Sequence, residues 1–246
     1  MSKALALLVG LKSVNPANYG GWDGTNGCSG CELDVDSLEA ILRPLGYTVT
    51  TLKTSQATAG NILQDLKNGL TQLEKGDILV FFFAGHGGQQ PDKTGEELDG
   101  QDETVVAYDR QILDDEFNDL WLQAKEGVRI VMLSDSCNSG TNYRLAKDFS
   151  EPTPFIPIAD PRLASEMKAQ LIHMGGCRDG FTSAGLPTGG AFTIALGNAW
   201  DQGRFQGDYP KLHSEICRRI TSRQKPQYNE YGAVASQFIN QRPFTI

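Results

Sequence analysis

The chain reads as a three-layer α/β protein, a mostly parallel central sheet flanked by helices, and three observations predict it. Short apolar runs rich in β-branched or aromatic residues alternate with segments of helical periodicity along the 246 residues. The runs are apolar throughout instead of alternating, as expected of parallel strands buried on both faces. Two of them, Val80–Ala84 and Val128–Leu133, meet glycine or small polar residues at once, as buried strands do where they release the chain at the sheet's carboxyl edge.

The elements follow in order. Lys3–Gly10 opens as a strand, ended by the turn chemistry of Gly10 and Asn15-Pro16. The same stretch resembles a minimal signal peptide, but its apolar part is short and no convincing small-residue cleavage site follows, so a buried strand is expected. Asp34–Leu45 is helix, closing near Pro44 and Gly46, and Tyr47–Leu52 is strand. Thr58 caps a helix whose Ile62, Leu63, Leu66, Leu70 and Leu73 share one face. Asp77–Ala84 is strand, Leu113–Lys125 helix behind Asp114-Asp115, and Val128–Ser134 strand. Residues 141–168 are Pro-rich and read as an exposed, cleavable loop. Gln170–Met174 is strand, Ala191–Gln202 and Tyr209–Ile220 are helices, and the tail carries no clear signal. Such a length supports a single domain, 1–246.

Composition excludes several classes. A net charge of −8 without a basic stripe argues against nucleic acid and favours cationic peptides or proteins as partners. No window reaches the roughly 18 apolar residues of a membrane span. Five cysteines at irregular spacing make no disulfide framework, so reduced thiols in a cytoplasmic location are expected. Cys28-Ser29-Gly30-Cys31 has the spacing of half a zinc site, but no second pair completes four ligands.

His86 and Cys137 each follow a strand-like run, 51 residues apart. A His and a Cys delivered to one sheet edge form a candidate acid–base and nucleophile pair. Glycines on both sides of His86 allow close backbone approach, while Ser136 and Asn138-Ser139-Gly140 surround Cys137 with turn residues. A cysteine phosphatase is the rival chemistry, but it needs Arg six residues after the cysteine, and Arg144 stands seven after Cys137.

Phe82-Phe83-Ala84-Gly85-His86-Gly87 and Asp135-Ser136-Cys137-Asn138-Ser139-Gly140 resemble the two signature motifs of metacaspases and orthocaspases. Supporting blocks occur in that family's order: Leu5–Gly10, Gly30-Cys31-Glu32-Leu33-Asp34, Glu97–Glu103 with Ile112–Asp115, Gly176–Asp179, Thr182-Ser183-Ala184 and Gly190–Thr193. The chain departs from the pattern at Ala84, where Ser is usual, and at Asn138, where His is frequent.

The resemblance implies a caspase-like fold, with about 1–140 resembling a large subunit, about 141–168 the exposed loop and about 169–246 a small subunit. It implies a cysteine endopeptidase in which Cys137 is the nucleophile and His86 the general acid, with the Gly87 and Cys137 amides as oxyanion donors and no third side chain. Asp34 and Asp135 match positions of an acidic pocket that accepts Arg or Lys, and Cys31, Ala84 and Ser183 match cleft-lining positions. No cofactor is required for the chemistry. Calcium is implied as an activator through Asp99, Asp102, Asp114 and Asp115, hard oxygen donors in a spacing unlike an EF-hand. Protein or peptide substrates with Arg or Lys at the cleaved bond, self-cleavage in the 141–168 loop, and a monomer complete the expectation. The alternative is a catalytically silent caspase-like binding or scaffold protein, against which both His86 and Cys137 are present.

Overall fold

A computed structural model of the protein describes residues 2–91, 101–138, 166–175, 188–220, 226–233 and 235–246, with Cys137 and Asn138 described through their backbone. The strands are β1 (Ala4–Gly10), β2 (Thr48–Lys53), β3 (Ile78–Pro91), β4 (Gln101–Val106), β5 (Gln111–Leu113), β6 (Arg129–Asn138), β7 (Gln170–Gly175) and β8 (Gln227–Gly232). The helices used below are α1 (Cys31–Leu42), α2 (Ala59–Thr71), α3 (Asp114–Leu122), α4 (Ala191–Trp200), α5 (Tyr209–Arg219) and α6 (Ser236–Asn240).

The central path runs β2-β1-β3-β6-β7-β8, with β4 and β5 attached beyond β3. Contacts from β2 through β7 along this path are parallel, and β8 closes it antiparallel. Apolar residues alternate between two cores, which explains the uninterrupted apolar runs. Leu79, Phe81 and Phe83 of β3 face one core with Ile62, Leu66 and Leu70 of α2 and Phe117 and Trp121 of α3. Ile78, Val80, Phe82 and Ala84 face the other, with Val35 and Leu38 of α1, Leu196 of α4 and Leu212 and Ile216 of α5. The three layers are those expected of the alternating elements.

Several boundaries differ from the sequence expectation. β3 and β6 do not stop at Ala84 and Ser134 but run on through the His86 and Cys137 motifs. Pairing overrides local turn propensity there: β1 ends where Gly10 faces Ala84, and β4 occupies that side of β3 from Gly87 onward. The acidic segment expected as loop supplies the β4–β5 hairpin, with Val105, Val106 and Ile112 buried. α1 begins three residues early, at Cys31, and the tail adds β8 and α6. Thr58 caps α2 as predicted, its hydroxyl accepting from the Asn61 amide at 3.2 Å. Most of the 141–168 loop, with Arg144, Lys147 and Arg162, lies outside the described residues, as do Ser183 and Asp99.

Candidate active site

The parallel register of β3 and β6 pairs His86 with Cys137 and Ala84 with Asp135. Neighbouring strands lie about 4.8 Å apart, so the two motif residues are brought side by side by backbone pairing alone. Gly87 stands next along β3, between Val105 of β4 and Asn138 of β6.

His86 is 6% exposed, and its Nε2 lies 2.9 Å from the Gly24 carbonyl oxygen. A carbonyl can only accept, so Nε2 carries the hydrogen and Nδ1 is the nitrogen left to gain or lose a proton. The segment that delivers Gly24 is itself tied down. Val14 donates to the Asp23 carbonyl at 2.8 Å, Asn15 to that of Tyr108 at 2.8 Å, and the Tyr19 hydroxyl to that of Ala107 at 2.7 Å. Trp22 of the same segment sets its ring 5.0 Å from that of His86. No third side chain was expected; the ring is oriented by this backbone oxygen, which leaves no trace in residue types.

Cys28 is the second residue the sequence reading passed over, although its spacing from Cys31 was visible. It is 4% exposed. A hydrogen bond to Cys31 lowers its pKa to about 6, with burial opposing and a hydrogen bond to His86 adding to the fall. Cys31 is shifted in the opposite direction, by its bond to Cys28 and by burial. Burial would hold the imidazole of His86 neutral, but its bond to Cys28, the charge there and the Gly24 carbonyl outweigh burial and raise its pKa.

Asp34 and Asp135 converge on the start of α4. The Gly190 amide donates to both Asp34 carboxylate oxygens, at 2.8 and 3.0 Å. The Thr193 amide and hydroxyl both donate to Asp135 Oδ2 at 2.8 Å. Two carboxylates thus satisfy amides at a helix N-terminus, a favourable place for negative charge. The approach demands glycine: a Cβ at Gly190 would lie 2.1 Å from Asp135 Oδ2. At the other end of the site, a Cβ at Gly10 would lie 2.4 Å from the Cys31 carbonyl, so Gly10 lets α1 seat against β1.

Burial, then repulsion from Asp135, raises the Asp34 pKa to about 7 against the pull of the Gly190 amide. Asp135 is raised as well, by burial, with Thr193 opposing. Asp34 had a simple structural explanation available, favourable placement at its own helix N-terminus. Instead it serves a different helix and retains acceptor capacity for a further donor.

Of the acidic residues expected to hold calcium, Asp102 lies on β4 and Asp114 opens α3; both are buried. Thr104 pairs with Leu113, which brings the Asp102 end of β4 beside the start of α3. Asp109 does structural work, accepting from the Ala59 amide at 2.7 Å at the head of α2. Among the described residues no group of three His, Cys, Asp or Glu side chains is arranged to hold a metal ion, Cys28, Cys31 and His86 included. No described helix is long and apolar enough to cross a membrane.

A strand-borne His–Cys pair on a sheet with this topology defines a caspase-like fold, and comparison with known proteins gives the family. The caspase domain model matches residues 3–237, and the chain belongs to that family. It is similar to Metacaspase-1 of Schizosaccharomyces pombe, 30% identical over 70% of this chain and 42% of the relative. It is also similar to Metacaspase-7 of Arabidopsis thaliana, 35% identical over 65% of this chain and 41% of the relative. The chain therefore spans about two fifths of the length of these curated relatives. A solved structure from Geobacter sulfurreducens is 33% identical, with a TM-score of 0.84 over 99% of both chains.

Proposed function

We propose that the chain is a cysteine endopeptidase that cleaves after Arg or Lys in proteins or peptides, with Cys137 as nucleophile and His86 as its proton partner. The observation that carries this reading is the β3–β6 register, which sets His86 opposite Cys137; the Nε2–Gly24 contact assigns the exchangeable proton to Nδ1.

An ordinary thiol at pKa near 8.5 is only a few per cent thiolate at neutral pH, so the imidazole must assist. In this reading Cys137 transfers its proton to His86 and attacks the scissile carbonyl, and His86 returns the proton to the leaving amine. The Gly87 and Cys137 amides are the proposed donors to the oxyanion, each worth about 3–4 kcal/mol in comparable enzymes. Asp34 and Asp135 are the proposed receptors for the substrate cation, and Cys31, Ala84 and Ser183 its surroundings. Two carboxylates that repel one another, Asp34 buried and Asp135 half-buried, gain from a guanidinium placed between them.

Activation by calcium is part of the proposal, through Asp99, Asp102, Asp114 and Asp115. It is supported by the concentration of acidic residues between the two motifs and by the pairing that brings the Asp102 and Asp114 segments together. The proposed protein acts as a cytoplasmic monomer and cuts its own 141–168 loop. The test is a fluorogenic peptide panel with Arg, Lys or Asp at the cleaved position, run with calcium and with chelator. Preference for Arg or Lys supports the reading. Preference for Asp overturns the pocket, and no cleavage of any member leaves the binding-protein alternative.

A further inference from the structure

Residues 14–24 form a closed strap beside His86. The Asn15 side-chain oxygen caps the Pro16–Asn18 turn by accepting from the Ala17 amide at 3.2 Å, and the Gly21 amide returns to the Pro16 carbonyl at 2.9 Å. The Val14–Asp23 bond joins the two ends, so the segment is a compact loop packed on its own side chains. Gly24 follows with φ +69°, a left-handed backbone that side chains rarely adopt, and a Cβ there would lie 3.3 Å from Val14. The carbonyl that meets His86 Nε2 is therefore placed by the strap.

The strap takes its own position from the turn of the β4–β5 hairpin. Tyr19, Val14 and Val106 make a small buried apolar cluster, apart from the two main cores, and Trp22 packs on it. The Tyr19 hydroxyl and the Asn15 amide donate to consecutive carbonyls of the turn, those of Ala107 and Tyr108. That turn is fixed in its place. The Ala107 amide donates to the Arg110 carbonyl at 3.0 Å, the Tyr108 amide to the Ala57 carbonyl at 2.9 Å, and Asp109 receives the Ala59 amide. At the other end, the Trp22 ring stands edge-on to that of Tyr19, with centroids 5.9 Å and planes 77° apart. Its centroid lies 5.0 Å from the imidazole, with the planes tilted by 56°. Three rings, Tyr19, Trp22 and His86, thus connect the hairpin turn to the site.

We infer that Tyr19 and Trp22 are positioning residues for His86, which hold its ring in the Nε2–H form from the hairpin turn. The second side-chain torsion of histidine is broad and roughly two-fold, so a buried imidazole can turn over unless contacts prevent it. Turning over sets carbon against the Gly24 carbonyl, leaves that oxygen unpaired and carries Nδ1 to the opposite side of the ring. Moving the hydrogen to Nδ1 instead leaves two lone pairs facing each other at Gly24. Both errors are suppressed only while the Gly24 oxygen stays in place, which the bond from Tyr19 to Ala107 secures. The indole adds a favourable ring contact that a turned imidazole would have to re-form. Tyr19 and Trp22 therefore act through His86.

The consequence for turnover rests on the function proposed above; the state of the imidazole does not. The experiment therefore has two arms, both on the full chain. In the first, Cys137→Ala protein with isotope-labelled histidine is studied by NMR while the ring is neutral. Two-bond nitrogen–proton spectra, assigned with His86→Gln, read which nitrogen carries the hydrogen. Nε2 alone should carry it in the parent. Tyr19→Phe keeps its ring in the apolar cluster and removes only the bond to Ala107. This variant and Trp22→Ala should each show a mixture, with roughly a tenth or more of the ring as Nδ1–H. Trp22→Phe, which keeps an aromatic face, should restore the Nε2–H form. In the second arm, with Cys137 intact and the Arg fluorogenic peptide as substrate, Tyr19→Phe and Trp22→Ala should each lower kcat about tenfold or more, with KM within about twofold. Their combined loss should be smaller than the product of the two, since both act through one strap. A parent ring protonated on Nδ1, an unchanged ring in either variant, or losses confined to KM would overturn the inference. A parent that cleaves no peptide would remove the proposed function and leave the nitrogen spectra to decide this one.

Discussion

Asp34→Asn separates stability from function in opposite directions. The substitution keeps an oxygen to accept from the Gly190 amide but removes the ionisable carboxyl. In the unfolded chain that carboxyl ionises near 3.8, and in the folded protein near 7. Stability present below pH 3.8 is therefore lost progressively as pH rises to 7, because the folded state resists ionisation and the unfolded state does not. Three pH units at about 1.4 kcal/mol each set an upper value of about 4 kcal/mol; sharing of charge with Asp135 reduces the expected gain to about 2–4 kcal/mol at pH 8. Urea denaturation of both proteins in a Cys137→Ala background, at pH 5, 6, 7 and 8, measures it. The variant should gain on the parent across that series, and the difference should shrink toward zero as pH approaches 4. Cleavage after Arg, measured with Cys137 intact, should meanwhile fall roughly a hundredfold, since one carboxylate of the proposed pocket is gone. Equal stability at pH 8 would refute the electrostatic reasoning, and unchanged cleavage after Arg would remove Asp34 from the pocket.

Cys137→Ala and His86→Ala should each lower peptidase turnover by about a thousandfold or more, because nucleophile and proton partner act as one unit; either variant keeping a tenth of wild-type turnover would exclude the pair. His173 is fully buried on β7 beside Ser134, and burial lowers its pKa to about 4. Stability held above pH 6.5 should fall by about 3 kcal/mol as pH drops toward 4, and a difference titration in which His173→Leu shows the same slope as wild type would count against it. Calcium should raise both melting temperature and peptidase rate, with both effects blunted in Asp114→Ala/Asp115→Ala; equal values in calcium and chelator would leave the acidic residues as parts of the β4–β5 and α3 framework.

How legible these features were in the sequence depends on which atoms carry them. Val80–Phe83 and Val131–Leu133 announced buried strands because both of their faces meet cores. The continuation of β3 through Gly85–Pro91 was hidden, since its partners, Gln101–Val105 and Ser136–Asn138, lie elsewhere in the chain. Gln101–Val106 is too polar at its start to look like a strand, and Tyr228–Tyr231 alternates weakly because it forms an edge. His86, Asp34 and Asp135 could be singled out as candidates because their side-chain chemistry marks them in the sequence. The Gly24 carbonyl could not, since every residue has one. The placement of Cys28 depends on the path of residues 11–30, anchored by Tyr19 and Asn15 to the far hairpin.

The central claim is that Cys137 is a nucleophile addressed by a cationic substrate side chain. Incubating the protein with peptidyl fluoromethyl ketones ending in Arg or in Asp, followed by peptide mapping, tests both halves in one measurement. The account predicts one covalent adduct on Cys137 from the Arg reagent, formed at least about tenfold faster than from the Asp reagent and absent in His86→Ala. An adduct on Cys28 or Cys31 in place of Cys137, or faster labelling by the Asp reagent, would contradict it.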